Sequence, residues 1–194
     1  MEPLHQRLHF DTAHGAVFDG DRRYVLVRAD VLMATFDALP GRAREDALRA
    51  FGRAVATQGS GSVRAYLDAV GAEALPAMLE GAAASLGWGR WRLGAIPPGG
   101  GAAAPMRGSE GTTADESMPS RALTLEVENS PFATASRGRG EPACHAIAGM
   151  LEGVAQALWR EPAEARETHC AAAHGASGPC RFVATRAGPG PNPA

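Results

Sequence analysis

Long apolar stretches, aromatic side chains and any excess of charge are scarce in this chain of 194 residues. It contains no run of about 18 apolar residues that would predict a membrane-spanning helix, and its first residues lack the apolar stretch of a secretory signal. Nineteen basic and twenty-one acidic residues leave a net charge of −2, which gives no electrostatic footprint for nucleic acid or an anionic membrane. We therefore expect a cytoplasmic protein that binds neither nucleic acid nor membrane.

Cysteine is scarce too, and the three cysteines of the chain all lie in its C-terminal quarter. Disulfides are not the expected use of these thiols in a reducing cytoplasm. Cys144, Cys170 and Cys180 would supply three ligands of a closed tetrahedral zinc site, and Glu167 would supply the fourth. The alternative is that the thiols pack as small hydrophobic side chains, because the chain lacks a repeated Cys-x-x-Cys unit.

Three histidines lie beside or near these cysteines: His145, His169 and His174. Because neutral imidazole is also a zinc ligand, any of them could replace Glu167 as the fourth ligand. A catalytic pair of Cys144 and His145 is not expected, because adjacent residues of a helix point about 100° apart. His169 beside Cys170 on a strand fails for the corresponding reason.

The length and composition fit one globular domain, since the chain is 45% hydrophobic and 21% charged. We expect this domain to span residues 1–187, followed by a disordered tail at 188–194. Residues 97–121 are rich in Pro, Gly, Ala, Ser and Thr, so they offer too little apolar area to offset the entropy of ordering and predict a mobile loop. The glycines of this loop do not predict a phosphate site, because no Gly-Lys-Ser/Thr sequence follows them.

The first half of the chain is predicted to be mainly helical. Turn residues separate two short strands at 8–10 and 23–28, which predicts an antiparallel pair. Asp30 is the expected N-cap of a helix that ends at Pro40. The apolar spacing predicts three further helices, with a break at the glycines of 59–61 between the first two: 42–58, 62–70 and 74–86.

In the second half, alternating apolar residues predict strands on either side of one long helix. The predicted elements are a turn and strand at 87–93, a strand at 122–128, a helix at 142–159, and strands at 163–170 and 180–185. Cys144 would lie in the first turn of the helix, and the other three ligand candidates on or beside the last two strands. The four can meet only if the helix packs across these strands.

Several short motifs follow one another in the last third of the chain: residues 129–133 (Asn-Ser-Pro-Phe-Ala), Cys144-His145, Gly149-x-x-x-Gly153, Glu167-x-x-Cys170 and Gly178-Pro179-Cys180-x-Phe182. In this order they resemble the 4-vinyl reductase domain family, with the signature extending over residues 122–187. Residues 23–32 and 86–89 also look like the leading part of such proteins. We expect a stand-alone member of this family.

The resemblance implies a mixed α/β (α+β) fold, in which an antiparallel sheet packs with helices as in subunits of the vesicle-tethering transport particle. It also implies frequent homodimerisation and the binding of small molecules. In aromatic-sensing members, the residues that match Cys144, Glu167, Cys170 and Cys180 bind a structural zinc ion, and all four positions are filled here. Four protein ligands leave no open position for substrate, so we expect zinc to be architectural and no residue to be catalytic.

The leading hypothesis is therefore a non-catalytic domain that binds or carries a hydrophobic or aromatic small molecule. Six residues are candidates for the wall of its cavity, with an ordinary core role as the alternative for each: Trp88, Trp91, Phe132, Ile147, Met150 and Leu151. The resemblance does not favour phenol as the ligand. Phenol sensors of the family use a tryptophan and a histidine, whereas the strand before Asn129 ends in Val127 and Glu128 with no tryptophan.

Two alternatives remain within the resemblance. One is a bacteriochlorophyll-pathway 4-vinyl reductase-like protein, or a tetrapyrrole-binding accessory factor. A self-sufficient reductase is not expected, because hydride transfer needs a cofactor and no Gly-x-Gly-x-x-Gly joins a strand to a helix here. The other alternative is a structural dimer or assembly subunit, which only the analogy of fold supports.

Overall fold

The structure is a computed structural model that describes residues 2–96, 122–136, 139–173 and 178–188. The predicted loop at 97–121 lies outside the described residues, as do His174 and the predicted tail after Gly188.

A small antiparallel sheet begins the chain, after a single helical turn, α1 (Leu4–Arg7). Its strands are β1 (His9–Asp11), β2 (Ala16–Asp19) and β3 (Arg22–Tyr24), in the order β1-β2-β3. The turns between them contain Gly15 and Gly20, both at the positive φ that glycine adopts at little cost. The predicted pair of strands is therefore a sheet of three, because the stretch between the two turns is itself a strand, and the predicted strand 23–28 ends at Tyr24.

Two helices follow, α2 (Ala29–Asp37) and α3 (Gly41–Ser85). The expected N-cap of α2 was wrong, since Arg28 is the N-cap and Asp30 lies in the first turn. The predicted break at 59–61 was also wrong, because the chain stays helical there. The break predicted after Val70 is confirmed: Gly71, at φ 76° and ψ 169°, interrupts the helical backbone and divides α3 into two segments.

The second half forms a four-stranded antiparallel sheet with helices packed against it. Its strands are β4 (Arg90–Ile96), β5 (Ala122–Glu128), β6 (Ala163–His169) and β7 (Cys180–Arg186), in the order β4-β5-β7-β6. Helices α4 (Pro131–Ala135) and α5 (His145–Trp159) lie between β5 and β6 in sequence. The predicted α+β architecture is confirmed. In the described part of the chain, no helix combines the length and apolar composition needed to cross a membrane.

Helix α5 contacts both α3 and the strands β6 and β7, and glycines let the two helices approach closely. A Cβ atom on Gly149 would lie 2.0 Å from the carbonyl oxygen of Gly52, and one on Gly52 would lie 2.6 Å from that of His145. Side chains on the inner faces of the sheet and of α5 complete the core: Leu125, Val127, Ile147, Leu151, Val154 and Phe182. This packing fixes the position of α5 over the sheet.

A buried arginine holds the segment that leads into α5. The Arg44 side chain, on α3, donates to the carboxylate of Asp37 at 2.9 Å and to that of Glu141 at 2.8 Å, and Arg139 also pairs with Asp37 at 3.1 Å. Glu141 lies three residues before Cys144. The ion pairs thus join α2 and α3 to the start of the candidate metal site.

Candidate functional site

The four predicted metal ligands come together where α5 begins beside the β6–β7 pair. The thiol sulfurs of Cys144, Cys170 and Cys180 and a carboxylate oxygen of Glu167 all lie within 4.8 Å of one another. The three cysteines are almost completely buried, and Glu167 is half-buried. The predicted packing of the helix across the strands is therefore what the structure shows.

The distances between these atoms suit a metal better than a disulfide. The sulfurs of Cys144 and Cys180 are 3.7 Å apart. A disulfide bond is about 2.05 Å long, whereas two sulfurs on a tetrahedral zinc ion with bonds of about 2.3 Å lie about 3.8 Å apart. The spacing of this pair matches one edge of a zinc tetrahedron.

A β-bulge explains how Glu167 and Cys170 reach the same side of the sheet. Residues an odd number apart on a regular strand point to opposite faces, and these two are separated by three positions. In the register, Glu167 pairs with Phe182 and His169 with Arg181, so Thr168 is an extra residue in β6. The bulge turns Cys170 toward the buried face that also carries Cys180.

Glu167 has an oxygen atom in need of a partner. Its Oε2 accepts a hydrogen bond from the backbone N–H of Cys144 at 3.4 Å, one of the unsatisfied donors at the start of α5. Its buried Oε1 has no hydrogen-bond partner among the described residues. Burial, together with the charge at Cys170, raises the pKa of the Glu167 carboxyl to about 8. A divalent cation at the cluster would satisfy this oxygen and hold the carboxyl ionised.

The thiols form a hydrogen-bonded group that concentrates negative charge. Hydrogen bonds with Cys170 and Cys180, and then burial, raise the pKa of Cys144 well above its usual range. Hydrogen bonds from the same two neighbours, Cys144 and Cys180, lower the pKa of Cys170. Cys170 is thus the thiolate that accepts from the others. A metal ion would replace the shared protons, as thiolate coordination requires.

Ser130 and Ala171 support the cluster from outside the four ligands. The Ser130 hydroxyl accepts a hydrogen bond from the Ala133 N–H at 3.3 Å and lies 3.2 Å from the sulfur of Cys144. Because that oxygen accepts from the backbone, its proton is available to the sulfur. The N–H of Ala171 donates to the sulfur of Cys180 at 3.4 Å. The sequence analysis did not identify Ser130, although Ser130-Pro131 is a helix-start signal.

The histidines do not belong to this group. Neither His145 nor His169 contributes an atom to it, among the residues that the structure describes. Burial, followed by the charge of Arg49, lowers the pKa of His145, and its backbone packs against Gly52. Glu167 is therefore the fourth ligand candidate that the geometry favours.

A separate cavity of about 310 Å³ lies between β3, α3, the start of β4 and α5. Three of the six predicted wall residues line it: Trp88, Trp91 and Met150. The other three, Phe132, Ile147 and Leu151, are buried in the core. Phe132 nevertheless supports the cavity wall, because its ring meets that of Trp88 edge-on with centroids 5.5 Å apart.

Much of the wall comes from α3, which sequence reasoning missed. The residues in question include Val55, Val63, Tyr66 and Leu79. The predicted break at 59–61 separated these residues into different helices, so their common face was not visible. One signal was available: Tyr66 is one of only two tyrosines in the chain, and rare aromatic residues carry much of the packing.

Comparisons with known proteins agree with the resemblance in sequence. The family model of the 4-vinyl reductase (4VR) domain matches residues 123–186, and the predicted family signature is confirmed over that segment. No curated protein matches the chain. A solved structure, described as the phenol-responsive sensory domain of the transcription activator PoxR with phenol, is similar with a TM-score of 0.67 and 16% identity. The alignment covers 93% of this chain and 85% of that one. At this identity the likeness shows a common fold.

Proposed function

We propose that residues 1–187 form one domain that binds a hydrophobic or aromatic small molecule without catalysing a reaction. The observation that carries this proposal is the cavity, whose wall combines Trp88, Trp91 and Met150 with two tyrosines, Tyr24 and Tyr66. Its volume of about 310 Å³ is at the lower end of the range of about 300–1,000 Å³ for small-molecule sites. The similar sensory domain is described as binding phenol, which supports an aromatic ligand.

The polar atoms of the two tryptophans also fit this role. The indole N–H of Trp91 donates to the carbonyl oxygen of Trp88 at 3.1 Å, so its ring can present an apolar face to a ligand without leaving a donor unsatisfied. On the other side, Gly59 gives room to Met150, since a Cβ there would lie 3.0 Å from the Met150 methyl carbon. The flexible thioether can then adjust to the shape of the ligand.

We also propose that Cys144, Glu167, Cys170 and Cys180 bind one zinc ion with a structural role. The donor set of three thiolates and one carboxylate suits zinc, and its four ligands leave no position open for substrate. Zinc would join the start of α5 to β6 and β7, so its binding free energy would add to the free energy of folding. Met150 lies six residues after Cys144 on the same helix, and zinc would thereby help to position the cavity wall.

Filling the cavity tests the ligand-binding proposal. Ser62 is a half-buried residue of the wall on α3, and Ser62→Phe would occupy the space of the ligand. Ala65→Phe, on an exposed position of the same helix, is the matched control. We expect isothermal titration calorimetry to show binding of 2-naphthol to the wild type and to Ala65→Phe, and no binding to Ser62→Phe. Equal binding to all three proteins would place the ligand elsewhere.

A tetrapyrrole is the alternative ligand within the family. The small volume of the cavity supports a ligand of one or two rings over a macrocycle. Titration with a porphyrin, followed by its absorbance spectrum, separates the two ligands, because a tetrapyrrole site would give a saturable spectral shift that Ser62→Phe abolishes.

We further propose that the protein forms a homodimer in a cytoplasmic setting, with a second copy covering the apolar residues after β3. Val25, Leu26 and Val27 are exposed at 78%, 68% and 54%, and contiguous apolar exposure is typical of an interaction surface. Light scattering during size-exclusion chromatography would give the mass of a dimer for the wild type. Leu26→Glu should give a monomer with unchanged circular dichroism, and a monomeric wild type would contradict the proposal.

A further inference from the structure

The cavity carries a positive charge that no carboxylate in its wall neutralises. Its lining includes Arg22 and Arg23 and, among the described residues, no aspartate or glutamate. Asp19, the neighbouring acid, lies opposite Arg22 in the register of β2 and β3. Both oxygens of Asp19 are already engaged by Arg7, at 3.0 Å and 2.9 Å.

Two cations thus lie near a single anion. The charge of Arg22 acts on Asp19 and helps to lower the pKa of that carboxyl after the larger effect of the hydrogen bonds from Arg7. No ion pair or hydrogen bond engages the guanidinium of Arg22 within the described residues. Arg7, in contrast, is fully used, because it also donates to the Tyr66 hydroxyl at 3.1 Å.

The geometry of β3 directs Arg22 toward the cavity. Residues two apart on a strand share a face, so Arg22 lies on the same face as Tyr24, and both are half-buried in the wall. Arg23 is exposed, and its side chain belongs to the opposite face of the strand. Of the two arginines, Arg22 is the one placed to meet a bound molecule.

The remainder of the wall is mostly apolar, with two neutral polar groups. Gln58 and Ser62 are four residues apart on α3, so they lie on one face of the helix. Trp88, Trp91 and Met150 offer aromatic and thioether surface. A complementary ligand would have an apolar body, one anionic group and acceptors within reach of neutral donors.

We propose that the ligand is an amphipathic organic anion, an aromatic ring that carries a carboxylate, bound through its carboxylate by Arg22. The guanidinium matches a carboxylate with two parallel N–H···O bonds, and such charge-assisted pairs are stronger than neutral hydrogen bonds. This inference rests on the proposed ligand-binding function and narrows its ligand class. A neutral ring of the same shape would cover Arg22 without pairing it, and a buried unpaired charge is costly.

Two probes of matched shape test the inference: 2-naphthoate, an anion at pH 7, and 2-naphthol, which is neutral at that pH. Both are titrated calorimetrically into the wild type, Arg22→Gln and Arg23→Gln. We expect the wild type to bind 2-naphthoate at least about tenfold more tightly than 2-naphthol, because a hydrogen bond to a charged group contributes about 1.5–3 kcal/mol. Arg22→Gln should lose this preference while its affinity for 2-naphthol stays within about twofold, and Arg23→Gln should behave as the wild type.

The outcomes separate this inference from the proposed function. Equal affinities for the two probes in the wild type, or a preference that survives in Arg22→Gln, would overturn the anionic ligand and leave the aromatic cavity in place. Absence of binding by either probe would overturn both. Since 2-naphthol binding and circular dichroism report the fold of Arg22→Gln, a misfolded variant cannot imitate the expected loss; Arg22→Lys, which keeps the charge, should then retain part of the preference.

Discussion

The buried, unpartnered Oε1 of Glu167 makes zinc content the first property to measure at the scale of single residues. We expect about one zinc ion per chain in protein purified without added metal, and its loss in Cys170→Ser and Glu167→Ala. The unfolding free energy of Cys170→Ser should fall by at least about 3 kcal/mol, because structural zinc contributes about 10–16 kcal/mol in small zinc peptides. Mass spectrometry of metals and thermal unfolding provide the two measurements.

The matched controls for this prediction are His145→Ala and His169→Ala. Neither histidine contributes an atom to the described ligand group, so both variants should keep their zinc. Loss of zinc from one of them, with retention in Glu167→Ala, would show that a histidine is the fourth ligand. A wild type that folds fully without metal would contradict the structural role.

Two buried serines at opposite ends of α4 differ in what their hydroxyls contact. Ser130 caps the helix and lies 3.2 Å from the sulfur of Cys144, whereas the hydroxyl of Ser136 has no hydrogen-bond partner among the described residues. Ser130→Ala should therefore cost about 1 kcal/mol of stability from the lost cap and speed zinc removal by a chelator about tenfold or more.

Ser136→Ala is the control, and we expect it to be neutral or slightly stabilising, since it removes a buried group that makes no bond. Urea unfolding and the rate of zinc transfer to a coloured chelator give the comparison. Equal effects of the two substitutions would argue against a hydrogen bond from Ser130 to the cluster.

At the scale of elements, the contact of α3 with α5 depends on glycine at one point and tolerates other residues elsewhere. A Cβ on Gly149 would lie 2.0 Å from the backbone oxygen of Gly52, while one on Gly81 would meet nothing within 4 Å. Gly149→Ala should thus destabilise the fold by about 1–3 kcal/mol or more, because the backbones must separate. Gly81→Ala, in an exposed part of α3, should stabilise it by about 0.5–1 kcal/mol through helix propensity.

Urea unfolding midpoints measure both effects in the same assay. A stable Gly149→Ala protein with an unchanged midpoint would show that the two helices can move apart without cost. Such a result would also weaken the argument that α5 holds Met150 at a fixed position in the cavity.

The accuracy of the sequence-based predictions differs between elements for physical reasons. The strands around Leu125 and the helix that carries Ile147 were predicted well, because their apolar residues follow the period of their structure. The helical stretch at 59–61 was missed, since Gly59 is kept in the helix by its contact with Met150, a residue ninety-one positions away in sequence. Local propensity cannot report such a contact.

The candidate metal site shows the same division. The resemblance identified Cys144, Glu167, Cys170 and Cys180 from their spacing, and the structure brings all four together. The bulge at Thr168 was not predictable, because an extra residue in a strand is defined only by its pairing with the neighbouring strand. The ligand set was therefore accessible from sequence, and the geometry that unites it was not.

For the whole molecule, the ion pair of Arg7 and Asp19 joins the N-terminal sheet to α3 and to the cavity. Arg7 donates to both oxygens of Asp19 and also to the hydroxyl of Tyr66, with its guanidinium 5.4 Å from the centre of that ring. Tyr66 lines the cavity. Protonation of Asp19 would thus weaken the attachment of the sheet that supplies one wall.

The pH dependence of stability follows from the direction of the Asp19 pKa. The hydrogen bonds from Arg7 lower that pKa in the folded protein, so the folded state binds the proton less readily than the unfolded chain. This contribution to stability is fully present above the ordinary aspartate pKa of about 3.9 and is lost as the pH falls below it toward the folded value. We expect Asp19→Asn to lower the unfolding free energy by about 1–3 kcal/mol at pH 7 and by much less at pH 3. Urea unfolding at the two pH values measures the difference, with Asp21→Asn, an exposed turn residue, as the control. A deficit of Asp19→Asn that is equal at both pH values would mean that the ionised pair does not stabilise the N-terminal sheet.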